Sequence, residues 1–378
     1  MKRVFQLAML TIFVATAGIW AQDKPKDKPD DKKTTMAQQF QTIGQDWEKA
    51  QEELVKAVRE AKTEDEREKL IEKAIAKLPE ITKPFADKAI ALAKQDLNDP
   101  AALQCLLFAV MAGQSEQAAA LLVDSQMEHK QFPEVCGAMA AQGGENPACI
   151  KVLQLTVEKS KNKELQGNAC LGLAQMYYQQ SEDPKVSADP KKAAKSLKRA
   201  EEMAEKVKKD YADVKSPEGE LGKVTDKLLF EIRNLAVGKP APEVVSQDLN
   251  DKEVKLSSLK GNVVVLDIWA TWCGPCKAMI PHERELVEKL KGKPFVFVSI
   301  SADDEKKTLI DFLEKKEKMP WTHWWEGRKE TGILKDWNVR FFPTIYILDS
   351  KGVIRYKNVR GKKMDEAVEK LLAEMGKS

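Results

Sequence analysis

The chain has 378 residues, of which 43% are hydrophobic and 32% are charged. This apolar content excludes a wholly disordered chain, and the near balance of 62 basic and 59 acidic residues gives no electrostatic basis for nucleic-acid binding. The length is sufficient for two or three domains of roughly 100–200 residues each.

The first 21 residues have the pattern of an export signal. Lys2 and Arg3 precede an apolar run from Val4 to Trp20, and small residues such as Ala21 lie where a signal peptidase would cut. We predict a signal peptide at 1–21 and a location in the periplasm or cell envelope. An uncleaved run that anchors the chain is the alternative.

Residues 22–36 are charged and contain prolines, which predicts a disordered linker. Residues 37–236 show helical spacing of apolar side chains and no strand-like alternation, which predicts an all-helical domain. We expect the helices to break at prolines. These are Pro79, Pro84, Pro100, Pro133, Pro147, Pro184, Pro190 and Pro217.

A weak repeat lies within the helical region. Similar segments begin at Cys105, Cys136 and Cys170, with a period of roughly 31–34 residues, which is typical of stacked helical hairpins. The segment from Ala169 to Ala200 resembles a tetratricopeptide repeat, a fold that implies a protein partner. An irregular helical bundle without a ligand is the alternative.

Residues 238–378 have a different pattern, in which glycine and proline separate strand-like runs. We predict a strand at 263–269, a helix at 273–290, a strand at 295–300, a helix at 306–315 and a Trp-rich strand at 321–325. A short helix at 329–337, strands at 344–348 and 353–357 and a closing helix at 364–374 complete a mixed sheet covered by helices.

The sequence Cys273-Gly-Pro-Cys276 lies directly after the first of these strands, where a helix opens. The amide groups and dipole of a helix N-terminus favour a thiolate at Cys273, and Cys276 is near enough to close a disulfide. A zinc site would need further Cys or His ligands, and only His282 and His323 are available in this domain. A purely structural disulfide is the other alternative.

The segment from Val265 to Lys277 looks very like a thioredoxin active site, and Phe342-Pro343-Thr344 resembles the cis-proline loop of that family. Residues 238–377 as a whole are similar to the extracytoplasmic thioredoxins of the TlpA/ResA type. The resemblance implies an α/β thioredoxin fold with a central mixed sheet, which follows the all-α region in the sequence. The chain would thus be multidomain.

The resemblance also implies roles for individual residues. Cys273 would be the nucleophile, Cys276 the resolving thiol, and Asp267 the buried proton acceptor, for which the cost of burying a carboxylate is a physical reason. The expected substrate-binding residues are Trp272, Gly274, Pro275, Phe342, Pro343 and Thr344. The only redox group would be the Cys273–Cys276 pair, so no cofactor or metal is expected.

These inferences predict an exported thiol–disulfide oxidoreductase that reduces protein disulfides and receives electrons from a membrane thiol donor. Met279 stands where many ResA-type proteins have glutamate, so their reduction potential does not carry over. An oxidase or isomerase on the same fold stays open. A peroxidase is disfavoured because Thr271 lies two residues before Cys273, not three. The alternative from another class is a helical scaffold for a partner protein, with the thioredoxin-like domain secondary.

Two further groups of side chains have predicted structural roles. Cys105, Cys136, Cys149 and Cys170 could form two disulfides, but their small apolar neighbours favour buried free thiols. The tryptophans at 321, 324 and 325 are expected to pack in the core, with an exposed apolar patch for substrate as the alternative.

Overall fold

The computed structural model describes residues 34–142, 144–183, 186, 189–327 and 332–376. The predicted signal peptide and nearly all of the predicted linker therefore lie outside the described residues. The chain divides into two compact units. One comprises the chain up to Gln180 together with Glu202–Gly222, and the other comprises Ser181–Glu201 together with the chain from Lys223 onward.

The first unit is built from helices, and several begin at a side-chain cap. Asp99, Ser115 and Asn146 each accept a hydrogen bond from a backbone N–H of the first helical turn. The helices are α1 (Met36–Glu60), α2 (Glu64–Ala93), α3 (Pro100–Met111), α4 (Glu116–Gln126), α5 (Phe132–Ala141), α6 (Pro147–Lys159), α7 (Lys163–Glu182) and α8 (Pro190–Asp210). The last two extend into the second unit.

The predicted helix breaks at Pro79 and Pro84 are wrong, because α2 continues through both. Both prolines lie on the exposed face of α2. There the missing N–H leaves a carbonyl that water can reach. The opposite face stays buried from Ile71 to Ala93, and its Thr82 hydroxyl accepts a hydrogen bond of 3.0 Å from Trp47 Nε1. Packing of this continuous face therefore outweighs the local preference for a break.

The start of α6 is joined to the end of α3 by a side chain that binds the backbone of both helices. The Asn146 side chain accepts from the backbone at the start of α6 and donates to the carbonyls of Val110 and Met111 at the end of α3. Cys105, Cys136 and Cys170 lie on α3, α5 and α7, the alternate helices of the series, and all three are buried. The likeness to tetratricopeptide repeats stays a prediction.

A short hairpin corrects the prediction that the region 37–236 has no strands. Strands β1 (Lys215–Ser216) and β2 (Gly219–Glu220) pair antiparallel around Pro217. Gly219 has a φ of +118°, a conformation that residues with a side chain rarely adopt. A two-residue strand has no alternating pattern that the sequence could reveal.

The second unit contains a seven-stranded mixed sheet. Its strands are β3 (Val245–Asp248), β4 (Glu253–Lys255), β5 (Val263–Trp269), β6 (Phe295–Ser301), β7 (Thr322–Trp325), β8 (Thr344–Leu348) and β9 (Ile354–Lys357), in the spatial order β4-β3-β7-β6-β5-β8-β9. The pairs β5/β6 and β6/β7 are parallel, and the other neighbours are antiparallel. The fold class is therefore the predicted one, with the hairpin β3–β4 added.

Helices cover both faces of this sheet. They are α9 (Leu221–Phe230), α10 (Gly274–Lys277), α11 (Ile280–Lys289), α12 (Lys306–Lys315), α13 (Ile333–Asp336) and α14 (Lys362–Met375), and a π-helical turn, Glu231–Leu235, follows α9. Alternate residues of β5 enter two separate cores. Leu266 packs with Trp337 and Tyr346 on one face, while Val265 packs with Leu286 and Val368 on the other. This two-sided burial explains why β5 is apolar at nearly every position.

Among the described residues, no helix combines the length and the apolar character needed to cross a bilayer.

Candidate active site

The two cysteines of the Cys-x-x-Cys sequence are bonded to each other at the carboxyl end of β5. Cys273 is the N-cap of α10, and its Sγ accepts a hydrogen bond of 3.2 Å from the Cys276 N–H. The two Cα atoms are 5.3 Å apart. Pro275 lies in the first turn, where its missing N–H costs nothing. A helix N–H directed at Cys273 Sγ is the local feature that would stabilise a thiolate there.

The predicted single helix over 273–290 is two helices in the structure. α10 ends at Lys277 and α11 begins at Ile280. Pro281 has no N–H to donate to the carbonyl of Lys277, so the ladder of hydrogen bonds is interrupted. The short α10 thus carries both cysteines of the dithiol.

Aromatic side chains lie near the disulfide, and Phe342 packs against the cluster that contains both cysteines. The Phe342–Pro343 bond is cis, and the ring of Phe342 contacts that of Trp272 edge to face with centroids 5.5 Å apart. Trp272 is 52% exposed and Phe341 is 54% exposed, which is unusual for large apolar side chains. Phe341 was not predicted from the sequence, although it precedes the recognisable Phe342-Pro343 pair.

The other predicted substrate-binding residues differ in accessibility. Gly274 and Pro275 are exposed beside the disulfide. Pro343 and Thr344 are buried, and the Thr344 hydroxyl donates a hydrogen bond of 2.6 Å to the Phe341 carbonyl. Thr344 therefore holds the loop from inside, while Trp272, Gly274 and Pro275 are open to solvent.

Asp267 lies in the middle of β5 between Ser299 of β6 and Ile345 of β8. It is 3% exposed, and its Oδ1 has no hydrogen-bond partner. Burial raises the pKa of Asp267 from 3.8 to about 7, against the opposing effect of the Arg360 guanidinium. A carboxyl group in this state can both take up and release a proton near neutral pH.

A second buried acid, Glu283 of α11, was not predicted. Its Oε1 has no hydrogen-bond partner, and burial together with the charge of Asp267 raises the pKa of Glu283 to about 9. Glu283 lies seven residues after Cys276, and on the predicted single helix both residues would lie on the same face. That spacing is the sequence signal that could have identified it.

Arg360 was also not predicted, and it connects the buried acids to the cis-proline loop. Its Nη2 donates a hydrogen bond of 3.0 Å to the carbonyl of Pro343, while its charge acts on Asp267. The guanidinium thus binds the loop and is near enough to Asp267 for the two charges to interact.

The segment that leads from β5 to Cys273 is held by a buried carboxylate. Asp303 accepts from the Thr271 N–H at 3.2 Å, from the Thr271 hydroxyl at 2.7 Å and from the Ser301 hydroxyl at 2.7 Å. The Asp303 carbonyl accepts from Trp325 Nε1 at 2.8 Å. These bonds fix the backbone two residues before Cys273.

The predicted aromatic cluster and the two histidines of this domain have structural contacts. Trp321 Nε1 donates to Ser299, and Trp324 is buried in the core, which confirms the packing role predicted for the cluster. His282 is paired with Asp365, and His323 with the carbonyl of Met319. In the part of the chain that the structure describes, no three His, Cys, Asp or Glu side chains are grouped as metal ligands would be.

Known proteins resemble the part of the chain that contains the sheet. Residues 236–372 match the Redoxin family model. The chain is 32% identical over 136 residues to thiol-disulfide oxidoreductase ResA of Bacillus cereus, which covers 36% of this chain and 76% of that protein. It is 32% identical over 131 residues to thioredoxin-like protein YneN of Bacillus subtilis, covering 31% of this chain and 68% of that protein.

Among solved structures, the thioredoxin domain of a thiol-disulfide oxidoreductase from Bacteroides vulgatus is 27% identical to this chain, with a TM-score of 0.34. The match covers 37% of this chain and 99% of that one. The 32% identity to ResA extends over 76% of the length of ResA, which is enough to show a family relationship. This chain belongs to the ResA-type thiol–disulfide oxidoreductases of the thioredoxin family, and its C-terminal third carries the thioredoxin-like oxidoreductase domain.

Proposed function

We propose that this protein is an exported reductase of protein disulfides and that Cys273, Cys276 and Asp267 carry out the reaction. The observation that carries the proposal is the arrangement of these three residues. A sulfur lies at a helix N-terminus with an N–H directed at it, a second sulfur lies one turn away, and an acid with an unpartnered oxygen lies on the strand that leads to them.

The proposed cycle consumes the reduced dithiol. The Cys273 thiolate attacks one sulfur of a substrate disulfide, so that a mixed disulfide forms and the other substrate sulfur leaves as a thiolate that takes up a proton. Asp267 accepts the thiol proton of Cys276, and the Cys276 thiolate then attacks Cys273 Sγ. The second substrate sulfur leaves, and the enzyme holds the Cys273–Cys276 disulfide.

Two electrons must then be returned to the pair by a thiol donor in the membrane. The Gly-Pro dipeptide between the cysteines, which is also found in reducing thioredoxins, supports the reducing direction. The signal-like segment at 1–21 supports export. The exposed aromatic side chains of Trp272 and Phe341 suit an extended substrate chain laid beside the cis-proline loop.

Reduction of insulin by the purified protein, with dithiothreitol as electron donor, tests the proposal. We expect Cys273→Ser to lower the rate to that of dithiothreitol alone, because the attacking thiolate is lost. Cys276→Ala that has been reduced and then freed of dithiothreitol should accumulate a mixed disulfide with the substrate, visible on a non-reducing gel and by mass spectrometry. Cys149→Ala, which removes a buried thiol of the helical region, is the matched control and should keep full activity. Full activity of Cys273→Ser would disprove the mechanism.

The reduction potential of the Cys273–Cys276 pair, measured against glutathione, tests the direction. A potential near that of reducing thioredoxins supports a reductase, and one as high as that of dedicated oxidases would contradict it.

A further inference from the structure

The segment that leads into the cis-proline loop is held by a residue from the end of the helical region. The Asn338 Nδ2 and the Arg340 Nη2 both donate to one oxygen, Oε1 of Glu231. Glu231 opens the π-helical turn that follows α9, more than 100 residues earlier in the sequence. Two donors from alternate residues of one segment thus meet at a single carboxylate oxygen.

The surroundings of Glu231 make this contact stronger than an ordinary surface ion pair. The side chain of Glu231 is 16% exposed, whereas that of Arg340 is 55% exposed. A partly buried carboxylate is less screened by water and salt, so its hydrogen bonds are correspondingly stronger. Apolar packing also fixes the turn itself, since Leu235 lies in the same core as Trp337.

The backbone of the held segment needs such support. Asn338 has a φ of +50°, in the left-handed region that residues with a side chain rarely occupy. Asparagine tolerates this conformation better than most residues. A side-chain bond to Glu231 favours the conformer in which the following residues turn toward the dithiol.

The far end of the same loop is held from within the thioredoxin-like part. The Thr344 hydroxyl donates to the Phe341 carbonyl, and Arg360 donates to the Pro343 carbonyl. Between these two ends lie Phe341, which is exposed, and Phe342, which packs against Trp272. The position of the aromatic surface beside the disulfide therefore depends on both ends of the loop.

We propose that Glu231 is a positioning residue for the cis-proline loop, holding Asn338 and Arg340 so that Phe341 and Phe342 receive the substrate chain beside Trp272. The proposal rests on the proposed function, because it concerns binding of a protein substrate at the Cys273–Cys276 site. Glu231 takes no part in sulfur or proton transfer. A protein substrate needs the loop, whereas a small disulfide needs only the dithiol.

Steady-state kinetics of the full-length chain on two substrates tests this. For Glu231→Ala we expect KM for a protein disulfide to rise about tenfold, the effect of losing one or two charge-assisted hydrogen bonds. The kcat on the protein, kcat/KM for bis(2-hydroxyethyl) disulfide and the rate of Cys273 alkylation by iodoacetamide should each stay within about twofold of wild type. Glu231→Gln keeps an acceptor oxygen and should restore much of the affinity.

Two further variants keep the test valid if Glu231→Ala folds poorly. Asn338→Gly allows the same left-handed backbone and removes the side-chain amide that binds Glu231. Arg340→Ala removes the other donor to Glu231, which is exposed. Both should raise KM for the protein substrate, as Glu231→Ala should. Arg233→Ala is the matched control, because Arg233 lies on the same turn but pairs with Glu201.

The outcomes separate the two proposals. Equal losses on the protein and the small disulfide, or lower stability in urea with unchanged KM, would mean that Glu231 is merely structural and would overturn its positioning role. Absence of activity on both substrates in the wild type would instead overturn the proposed function.

Discussion

At the scale of single residues, the main chemical feature is a pair of buried acids whose charges interact. Asp267 and Glu283 each have a carboxyl oxygen without a hydrogen-bond partner, and the charge of Asp267 raises the pKa of Glu283. Two carboxylates this close cannot both ionise readily, so near neutral pH a proton is retained between them. Glu283 has the higher pKa and keeps this proton, so Asp267 is the acid that exchanges a proton near neutral pH.

Replacing Asp267 with asparagine should stabilise the fold at alkaline pH. The pKa of Asp267 is about 7 in the folded chain against an ordinary value of 3.8, so between these pH values the unfolded chain releases a proton that the folded chain keeps. Stability is therefore lost as pH rises through this window, and the loss is complete above pH 7. At pH 8 we expect the free energy of unfolding of Asp267→Asn, measured in urea, to be roughly 2–4 kcal/mol higher than that of wild type. This estimate uses about 1.4 kcal/mol for each unit of the pKa shift.

The gain from Asp267→Asn should shrink toward pH 4. Asp303→Asn is the matched control, because Asp303 is equally buried but accepts hydrogen bonds from Thr271 and Ser301. An amide cannot accept all of these bonds, so this variant should lose about 1–3 kcal/mol. A gain from Asp267→Asn that is independent of pH would contradict the assignment of the raised pKa.

The four cysteines of the helical region should be unreactive while the chain is folded. Cys105, Cys136, Cys149 and Cys170 are buried free thiols, as the sequence predicted, and burial raises the pKa of each to about 12. A thiol attacks only as the thiolate, which is scarce at neutral pH with such a pKa. The oxidised protein should therefore show no fast reaction with 5,5′-dithiobis(2-nitrobenzoate) in buffer.

The same reagent in guanidinium chloride should then titrate the four free thiols of the oxidised protein. Fewer would indicate disulfides in the helical region. Reduced protein in buffer should react quickly at Cys273 and Cys276, which counts the thiols of this pair in the same experiment.

At the scale of elements, local pattern predicted short elements with clear periodicity better than it predicted helix ends at prolines. β5, β8 and α12 have the bounds that the sequence predicted, since each is a short run of clear apolar periodicity between turn residues. The helix boundaries at prolines were less reliable. Pro100 and Pro147 begin helices, whereas Pro79 lies inside one, because proline is tolerated wherever the missing N–H faces water.

Replacing Pro79 with alanine should stabilise α2. Alanine restores a backbone N–H and is about 3 kcal/mol more favourable than proline inside a helix, which the greater freedom of the unfolded chain offsets by roughly 1 kcal/mol. We expect a net gain of about 1–2 kcal/mol in urea unfolding. Pro100→Ala is the control, because Pro100 is at the helix start and should give no gain. A loss of stability in Pro79→Ala would show that the proline is required by the packing.

At the scale of the whole molecule, the division of the chain into compact units differs from its division by sequence pattern. The predicted domains meet at residues 236–238, where glycine and proline appear. The unit that contains the sheet also includes Ser181–Glu201 and the chain from Lys223, and Leu235 lies in the core of the sheet. Core membership depends on which side chains pack together, and a change in local pattern does not report it.

Truncating Leu235 should therefore destabilise the oxidoreductase unit. Leu235 is fully buried against the sheet, so Leu235→Ala should cost about 2–5 kcal/mol, the range for leucine truncation in a packed core. Urea unfolding followed through tryptophan fluorescence measures the effect, because six of the eight tryptophans, Trp324 and Trp337 among them, lie between residues 269 and 337. Arg233→Ala, an exposed change on the same turn, should cost less than about 0.5 kcal/mol. Equal stability of the two variants would show that Leu235 does not belong to this core.

The sequence by itself predicted the candidate site of this protein: the Cys273–Cys276 pair, the acid on β5, the cis-proline loop and the strands around them. Each of these is recognisable within a short stretch of the sequence, because hydrophobic periodicity, turn residues and motif spacing are local properties. Only the tertiary structure decided that the charges of Glu283 and Arg360 act on Asp267 and that Asp303 binds Thr271. It also decided that Glu231 binds Asn338 and Arg340, which precede the cis-proline loop. Those residues are distant from their partners in the chain, and a charged side chain in a helical pattern looks the same whether it faces water or a buried acid.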